Sequence, residues 1–306
     1  MRSYYVKKEF LYPDMRKIIF LLLLISGFCF GQIRSIQMDI SKILYDKKAT
    51  VAISVLGIEK DYVFDKNADA KLPMLSVFKF HIAAAVLHLV DEGEMALDQK
   101  ITLTEAELLP DTWSPIREKF PKGDVEMTLA ELIEYTVAQS DNNGCDKLLR
   151  LIGGPETVQK FMNAKGVKDF QIKFNEEEMH KEAKNMYGNY TTTKSAMHLL
   201  KSFYEGKIMT RKSTDFLMKT MISTQTGADK LKGWLPKNVP VAHKTGSSGK
   251  NDEGLTIAEN DIGIVTLPNG KHYAIAVFIS DSTESKEVNC GIIADISKVF
   301  YDLLSK

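Results

Sequence analysis

The tightest constraint on the fold is where the strand-forming residues lie. Thr50-Val51-Ala52-Ile53-Ser54-Val55-Leu56 is a β-branched, apolar run towards one end of the chain, and Val241–Ser247, Asp261–Leu267 and His272–Ser280 lie towards the other. Lys60–Phe64 is expected to return beside the first run as a hairpin, and Pro268-Asn269-Gly270 to turn between the last two. From Ser76 to about Phe216 the pattern becomes helical, with Val77, Phe80, Ala84 and Leu87 on one stripe and Leu129, Leu132, Ile133 and Thr136 on another. Further helices are expected over Ile33–Tyr45 and Glu284–Leu304. Strands at both ends of a helical block imply one mixed sheet built from both termini, with an inserted helical domain. The division expected is a sheet domain from 32–75 and 217–306 and a helical domain over 76–216, with a groove between them as the natural site.

Bulk properties narrow the class. The chain has 306 residues, 44% of them hydrophobic, which is ample for a core. Forty basic residues balance forty acidic ones, so the electrostatic footprint of a nucleic-acid binder is missing. The apolar run Ile18–Phe30 after Met15-Arg16-Lys17 is short for a bilayer span but suits a secretory signal over 1–31, with translation starting at Met1 or at Met15. Cleavage before Gln32 would leave 35 basic against 38 acidic residues and a periplasmic or secreted protein with no stable membrane span, expected to be a monomer. Phe28 before Cys29 makes a poor lipoprotein site. Cys145 and Cys290 show no metal spacing and are expected to be buried thiols, and the six histidines form no HxH or HExxH pattern, so neither a metal nor another cofactor is expected.

Three short motifs carry chemistry. Ser-x-x-Lys occurs twice, at Ser76–Lys79 and at Ser247–Lys250. The second follows a strand in a Gly-rich turn, whereas the first opens an apolar helix whose free N–H groups and dipole favour negative charge at Ser76. A spacing of three puts Ser76 and Lys79 on one helix face, and an ammonium among apolar neighbours needs a partner or a task. Ser140-Asp141-Asn142 sits between two helical runs, where on its own it is an ordinary helix cap. His243-Lys244-Thr245-Gly246-Ser247 ends a strand, and on its own it is a strand running into a turn.

In the order SxxK, SDN, KTG, these motifs form the set by which class A β-lactamases and penicillin-binding proteins are recognised. The chain resembles that serine β-lactamase superfamily over essentially its whole mature length. The resemblance implies an α+β (α/β sandwich) fold whose sheet is antiparallel. It implies Ser76 as the nucleophile that opens a β-lactam ring, with Lys79, buried beside Lys244, accepting or relaying its proton. Ser140 would pass a proton to the departing ring nitrogen and Asn142 would hold the substrate's side-chain amide. Backbone N–H groups of Ser76 and Ser247 would form the oxyanion hole. Lys244, Thr245 and Ser247, with Gly246 in the same strand, would hold the substrate carboxylate.

Hydrolysis needs a base for water, and in the family a Glu with an Asn four residues later supplies it, between SDN and KTG. Glu176 and His180 have that spacing, on a segment expected to be a loop before a Thr191–Tyr204 helix. Without the family, Glu176-Glu177-Glu178 reads as a solvated acidic run. His180 replaces the usual Asn, and Phe174 stands where many class A enzymes carry an arginine that anchors this loop, so the loop must be held otherwise. These departures, with Ser140–Asp146, resemble the PER, VEB and CfxA type subgroup, which often accepts cephalosporins. Trp113 would be either an aromatic wall of the cavity or a core residue. Lys230 stands where the subgroup tends to have an arginine, and would meet the substrate carboxylate without a bidentate fork. The rival functions are a DD-peptidase or transpeptidase and a non-hydrolytic penicillin sensor, and Glu176 argues against both.

Overall fold

The computed structural model describes residues 35–306. The expected leader, the start at Met15 and Cys29 lie outside the described residues. The chain divides into two units, 1–45 and 46–306. In the first, 35–43 form helix α1.

The second unit is organised by a five-stranded sheet in the order β2-β1-β10-β9-β8, formed by β1 (Thr50–Gly57), β2 (Val63–Lys66), β8 (Val241–Ser247), β9 (Thr256–Thr266) and β10 (His272–Ser282). Every neighbouring pair is antiparallel, so the sheet is not mixed. The first and the last strand lie side by side, Thr50 opposite Ser280 and Gly57 opposite Tyr273. Both faces are covered, which explains why these strands read as nearly continuous apolar runs. Ala274, Ala276 and Phe278 join a core shared with the helical block, while the C-terminal helix packs on β9 and β10.

Between β2 and β8 run β3 (Leu72–Pro73), α2 (Phe78–Asp91), β4 (Lys100–Leu103), α3 (Pro115–Lys119), β5 (Val125–Thr128), α4 (Leu129–Ala138), α5 (Asn142–Leu151), α6 (Pro155–Ala164), β6 (Phe170–Gln171), α7 (Glu176–Lys181), α8 (Ala183–Met186), β7 (Tyr190–Thr191), α9 (Thr193–Tyr204) and α10 (Arg211–Ile222). α11 (Lys286–Leu304) closes the chain, capped by Ser285. The block is thus not purely helical: β4 pairs with β5, and β7 with β3 and β6.

Two expectations change in instructive ways. α2 is expected to be an apolar helix with one named stripe (Val77, Phe80, Ala84, Leu87), yet burial extends to every residue of Phe78–Leu87, because α4, α5, α6 and α10 surround it. An all-round apolar helix is a central one. β9 starts at Thr256, five residues before the expected Asp261, since Glu259, Asn260 and Asp261 are buried by side-chain partners that a polar triplet does not reveal.

Candidate active site

Ser76 lies in a 3₁₀ turn, Leu75–Val77, that leads directly into α2. Leu75 takes φ +46°, a left-handed conformation that strains a non-glycine residue, as does Ser140 at +60°. Two neighbours hold the turn. The Asn260 amide donates to the carbonyls of Pro73 (2.8 Å) and Met74 (3.2 Å). Gly246 on β8 lies so close that a Cβ there would come within 2.4 Å of the Met74 oxygen. The glycine of the Lys-Thr-Gly motif is therefore what brings β8 alongside Ser76.

Lys79 is fully buried, and the five oxygens around its ammonium explain why. It donates to Asn142 Oδ1 (2.5 Å), Ser140 O (2.7 Å) and Ser76 Oγ (3.0 Å), with Ser140 Oγ at 3.4 Å. Glu176 Oε1 lies 2.9 Å from the same nitrogen and accepts from Ser76 Oγ at 3.4 Å. The other carboxylate oxygen, Oε2, is buried with no hydrogen-bond partner and has His180 Nδ1 at 3.5 Å. Lys244, also fully buried, donates to Ser140 Oγ (2.9 Å) and Thr245 O (2.8 Å), so the Ser140 hydroxyl lies between the two lysine nitrogens. Burial, then Lys79 and Lys230, push Lys244 well below the usual lysine range.

Asp141 does cap α5 through Gly144 N (2.7 Å), and it does more: it accepts from Ile116 N (2.7 Å) and the Ser114 hydroxyl (2.9 Å), tying α3 to the Ser140 turn. Burial raises its pKa despite these bonds. Asn142 donates to Thr112 Oγ1 at 2.7 Å. Trp113 is not a core residue: it is 55% exposed on the cavity rim, with its indole N–H on Gln139 O at 2.9 Å. Cys145 and Cys290 are buried free thiols.

The three consecutive glutamates separate completely. Glu176 is the first residue of α7 rather than a loop residue, and its side chain is 2% exposed. Glu178 closes a capping box with Asn175, and Glu177 pairs with Lys181 in solvent. With Phe174 in place of an arginine, two residues that the sequence reading missed hold this segment. Asn189 Oδ1 accepts from the backbone N–H of Lys173 (2.8 Å) and Phe174 (2.9 Å), and its amide donates to Phe174 O (2.8 Å). The Asp146 carboxylate accepts from the N–H groups of Glu176 (2.7 Å) and Glu177 (3.0 Å), while burial pushes its pKa up to about 6. Asp146 was read only as the end of a motif string, and nothing local marks Asn189. His180 donates its Nδ1–H to Glu176 O at 2.8 Å.

Ser76, Ser140, Asn142, Glu176, His180, Trp113, Thr245, Gly246, Ser247 and Lys230 all border one cavity of about 770 Å³, with Lys79 and Lys244 buried beneath its floor. Lys230 corrects the expectation placed on it. It is nearly buried, and its ammonium is engaged by Glu259 Oε1 (2.5 Å), Asn260 O (3.1 Å) and Gly246 O (3.3 Å). The second Ser-x-x-Lys is also resolved, since Ser247 donates to Glu259 Oε2 (3.0 Å) and Lys250 to Thr283 O (3.1 Å), away from each other.

An antiparallel sheet closed by both termini and a serine contacted by both a buried lysine and a buried glutamate define a serine acyl-transfer hydrolase. The model of the beta-lactamase enzyme family matches residues 35–304, and the chain belongs to this family, among the class A serine β-lactamases of PER and VEB type. It is 44% identical to beta-lactamase VEB-1 of Pseudomonas aeruginosa over 89% of this chain and 91% of that one. It is 38% identical to extended-spectrum beta-lactamase PER-1 of the same organism, over 87% and 86%. The crystal structure of TLA-1 extended-spectrum beta-lactamase superposes with a TM-score of 0.87 at 49% identity, covering 89% of this chain and 99% of that one.

Proposed function

We propose that the chain hydrolyses the amide of penicillins and cephalosporins through an acyl-enzyme on Ser76, using no metal, and that Glu176 activates the water that releases it. The supporting observation is the contact of Glu176 Oε1 with both Lys79 (2.9 Å) and Ser76 Oγ (3.4 Å). With Glu176 Oε1 and Lys79 Nζ both in contact with the Ser76 hydroxyl and with each other, Glu176 takes the Ser76 proton, directly or relayed through Lys79. Ser76 Oγ then bonds to the ring carbonyl carbon, whose oxygen receives hydrogen bonds from the backbone N–H groups of Ser76 and Ser247. As the ring C–N bond breaks, the Ser140 hydroxyl gives its proton to nitrogen and is resupplied by Lys79 across their 3.4 Å contact, Lys79 in turn recovering the proton held by Glu176, which returns to a carboxylate. In the second half-reaction Glu176, through the partnerless Oε2, takes a proton from water as the water oxygen adds to the acyl carbon, and on collapse the bond to Ser76 Oγ breaks while Glu176 returns that proton to the departing serine oxygen. Lys244 and Thr245 hold the substrate carboxylate, Asn142 its side-chain amide, and Trp113 flanks it.

Cephalosporins, oxyimino compounds included, fit the wide cavity and the extended-spectrum names of PER-1 and TLA-1. The strands that flank segment 76–216 supply Lys244 to Ser247, while that segment supplies the remaining chemistry. A secreted, periplasmic monomer fits this reading, and no helix among the described residues is long and apolar enough to cross a membrane. Purified protein in chelator is expected to turn over a chromogenic cephalosporin many times per active site. A stoichiometric burst followed by silence would instead identify a penicillin-binding protein or a sensor.

A further inference from the structure

The cavity is also bordered by a second buried carboxylate, Glu259 on β9, that the reaction above leaves without a role. The residues expected to receive a substrate carboxylate are Lys244, Thr245, Ser247 and Lys230, and Glu259 engages two of them. Its Oε1 pairs with Lys230 at 2.5 Å, both side chains being at most 4% exposed, and its Oε2 accepts the Ser247 hydroxyl proton at 3.0 Å. The backbone carbonyls of Asn260 and Gly246 accept from the same ammonium, so three protein oxygens surround Lys230. Gly227 packs this arrangement tightly, for a Cβ there would lie 2.5 Å from the Thr245 methyl group and 3.2 Å from Lys230 Cδ.

We propose that Glu259 is a specificity-determining residue, which withholds Lys230 and the Ser247 hydroxyl from the substrate carboxylate and leaves Lys244 and Thr245 to bind it. The physical basis is competition between two carboxylates for one ammonium in a site of low dielectric, where a pair already formed is strongly favoured over a charge left alone. The field of Lys230 still reaches Lys244, but its charge is offset by a carboxylate nearer than any ligand. The enzyme therefore holds anionic β-lactams by one lysine where the sequence offers two, and release of the carboxylate product is correspondingly easier.

The inference rests on the reading that this part of the cavity takes the substrate carboxylate, so the experiment separates the two. A cephalosporin and its C4 methyl ester are assayed with the wild type, E259Q, K230Q and K230Q/E259Q, with folding followed by thermal denaturation. If the wild type treats acid and ester alike, the carboxylate reading fails, and the inference with it. If the wild type prefers the acid, E259Q is expected to lower KM for the acid on the order of 3- to 10-fold, the size of one added charge-assisted hydrogen bond, and to leave KM for the ester in place. K230Q is expected to raise KM for the acid, because Glu259 is then an unpaired negative charge beside it. These opposite signs are not what general loosening produces. An unchanged or higher KM in E259Q overturns the proposal. The double variant keeps the test if E259Q alone does not accumulate: a KM within about twofold of wild type supports withholding, whereas a KM raised about fivefold or more shows that Lys230 serves the substrate directly and overturns it.

Discussion

Two stretches of this chain read Ser-x-x-Lys, and folding gives them opposite fates. Ser76 and Lys79 come together at the start of a helix buried on all sides, with the lysine ammonium 3.0 Å from the serine oxygen and a carboxylate at 2.9 Å. Ser247 and Lys250 lie at the exposed end of β8, the hydroxyl turned to Glu259 and the lysine to a carbonyl of Thr283. In a helix a spacing of three stacks two side chains on one face. At a strand end running into a turn the same spacing carries them apart. The string thus has chemical meaning only on the first backbone, and there the cost of burying an ammonium is met by five oxygens drawn from four separate elements.

The contrast is tested most severely at the partner that the second copy lacks. Glu176→Gln is expected to slow release of the acyl group by about 10²–10⁴-fold. Mass spectrometry should then show Ser76 carrying an adduct equal in mass to the drug. If Glu177→Gln or Glu178→Gln accumulates the adduct instead, the assignment is wrong.

Next in size is the burial of α2 itself. His81, two residues beyond Lys79, is wholly enclosed, stacks on Phe170 and has its pKa pushed down to about 4 by burial. Between the unfolded value of 6.5 and about 4 the unfolded chain binds a proton that the folded chain refuses, so stability falls as pH drops through that window. The loss amounts to roughly 3 kcal/mol at most. Urea titrations at pH 7 and pH 4.5 should show a smaller acid loss in His81→Leu than in the wild type, and equal losses would remove His81 as the cause. Asp146 contributes with the opposite sign, its raised pKa favouring the folded state at low pH, which is why the two proteins must be compared pairwise.

Asn189→Ala comes third. It removes the acceptor of two backbone N–H groups and a donor to Phe174 O, and should cost about 1–3 kcal/mol. Because that segment carries Glu176, single-turnover kinetics should show deacylation slowed more than acylation. The smallest effect is expected at the second motif, where Lys250→Met should leave kcat/KM within about twofold of wild type; a loss as large as that of Lys79→Met would erase the contrast drawn between the two copies.

Much of this molecule is legible in its residues. The strand runs at both ends foretell the sheet, because β-branched residues and period-two burial are local properties. The types and order of the reactive groups point to a serine acyl hydrolase. Boundaries and helix faces are less legible. The sequence marks one apolar stripe on α2 but not that every face of Phe78–Leu87 is covered, and β9 hides its first five residues because Glu259 and Asn260 find buried partners only after folding.

By itself, then, the sequence determined which chemistries are present and on what kind of backbone each is carried. Tertiary structure alone decided which of three adjacent glutamates is buried beside Ser76, which residues hold its segment, and that Lys230 is already engaged by Glu259. The reason is range: helix and strand preferences act over a few residues, whereas the charge state and task of a buried group are set by partners such as Glu176 for Ser76, one hundred positions away along the chain.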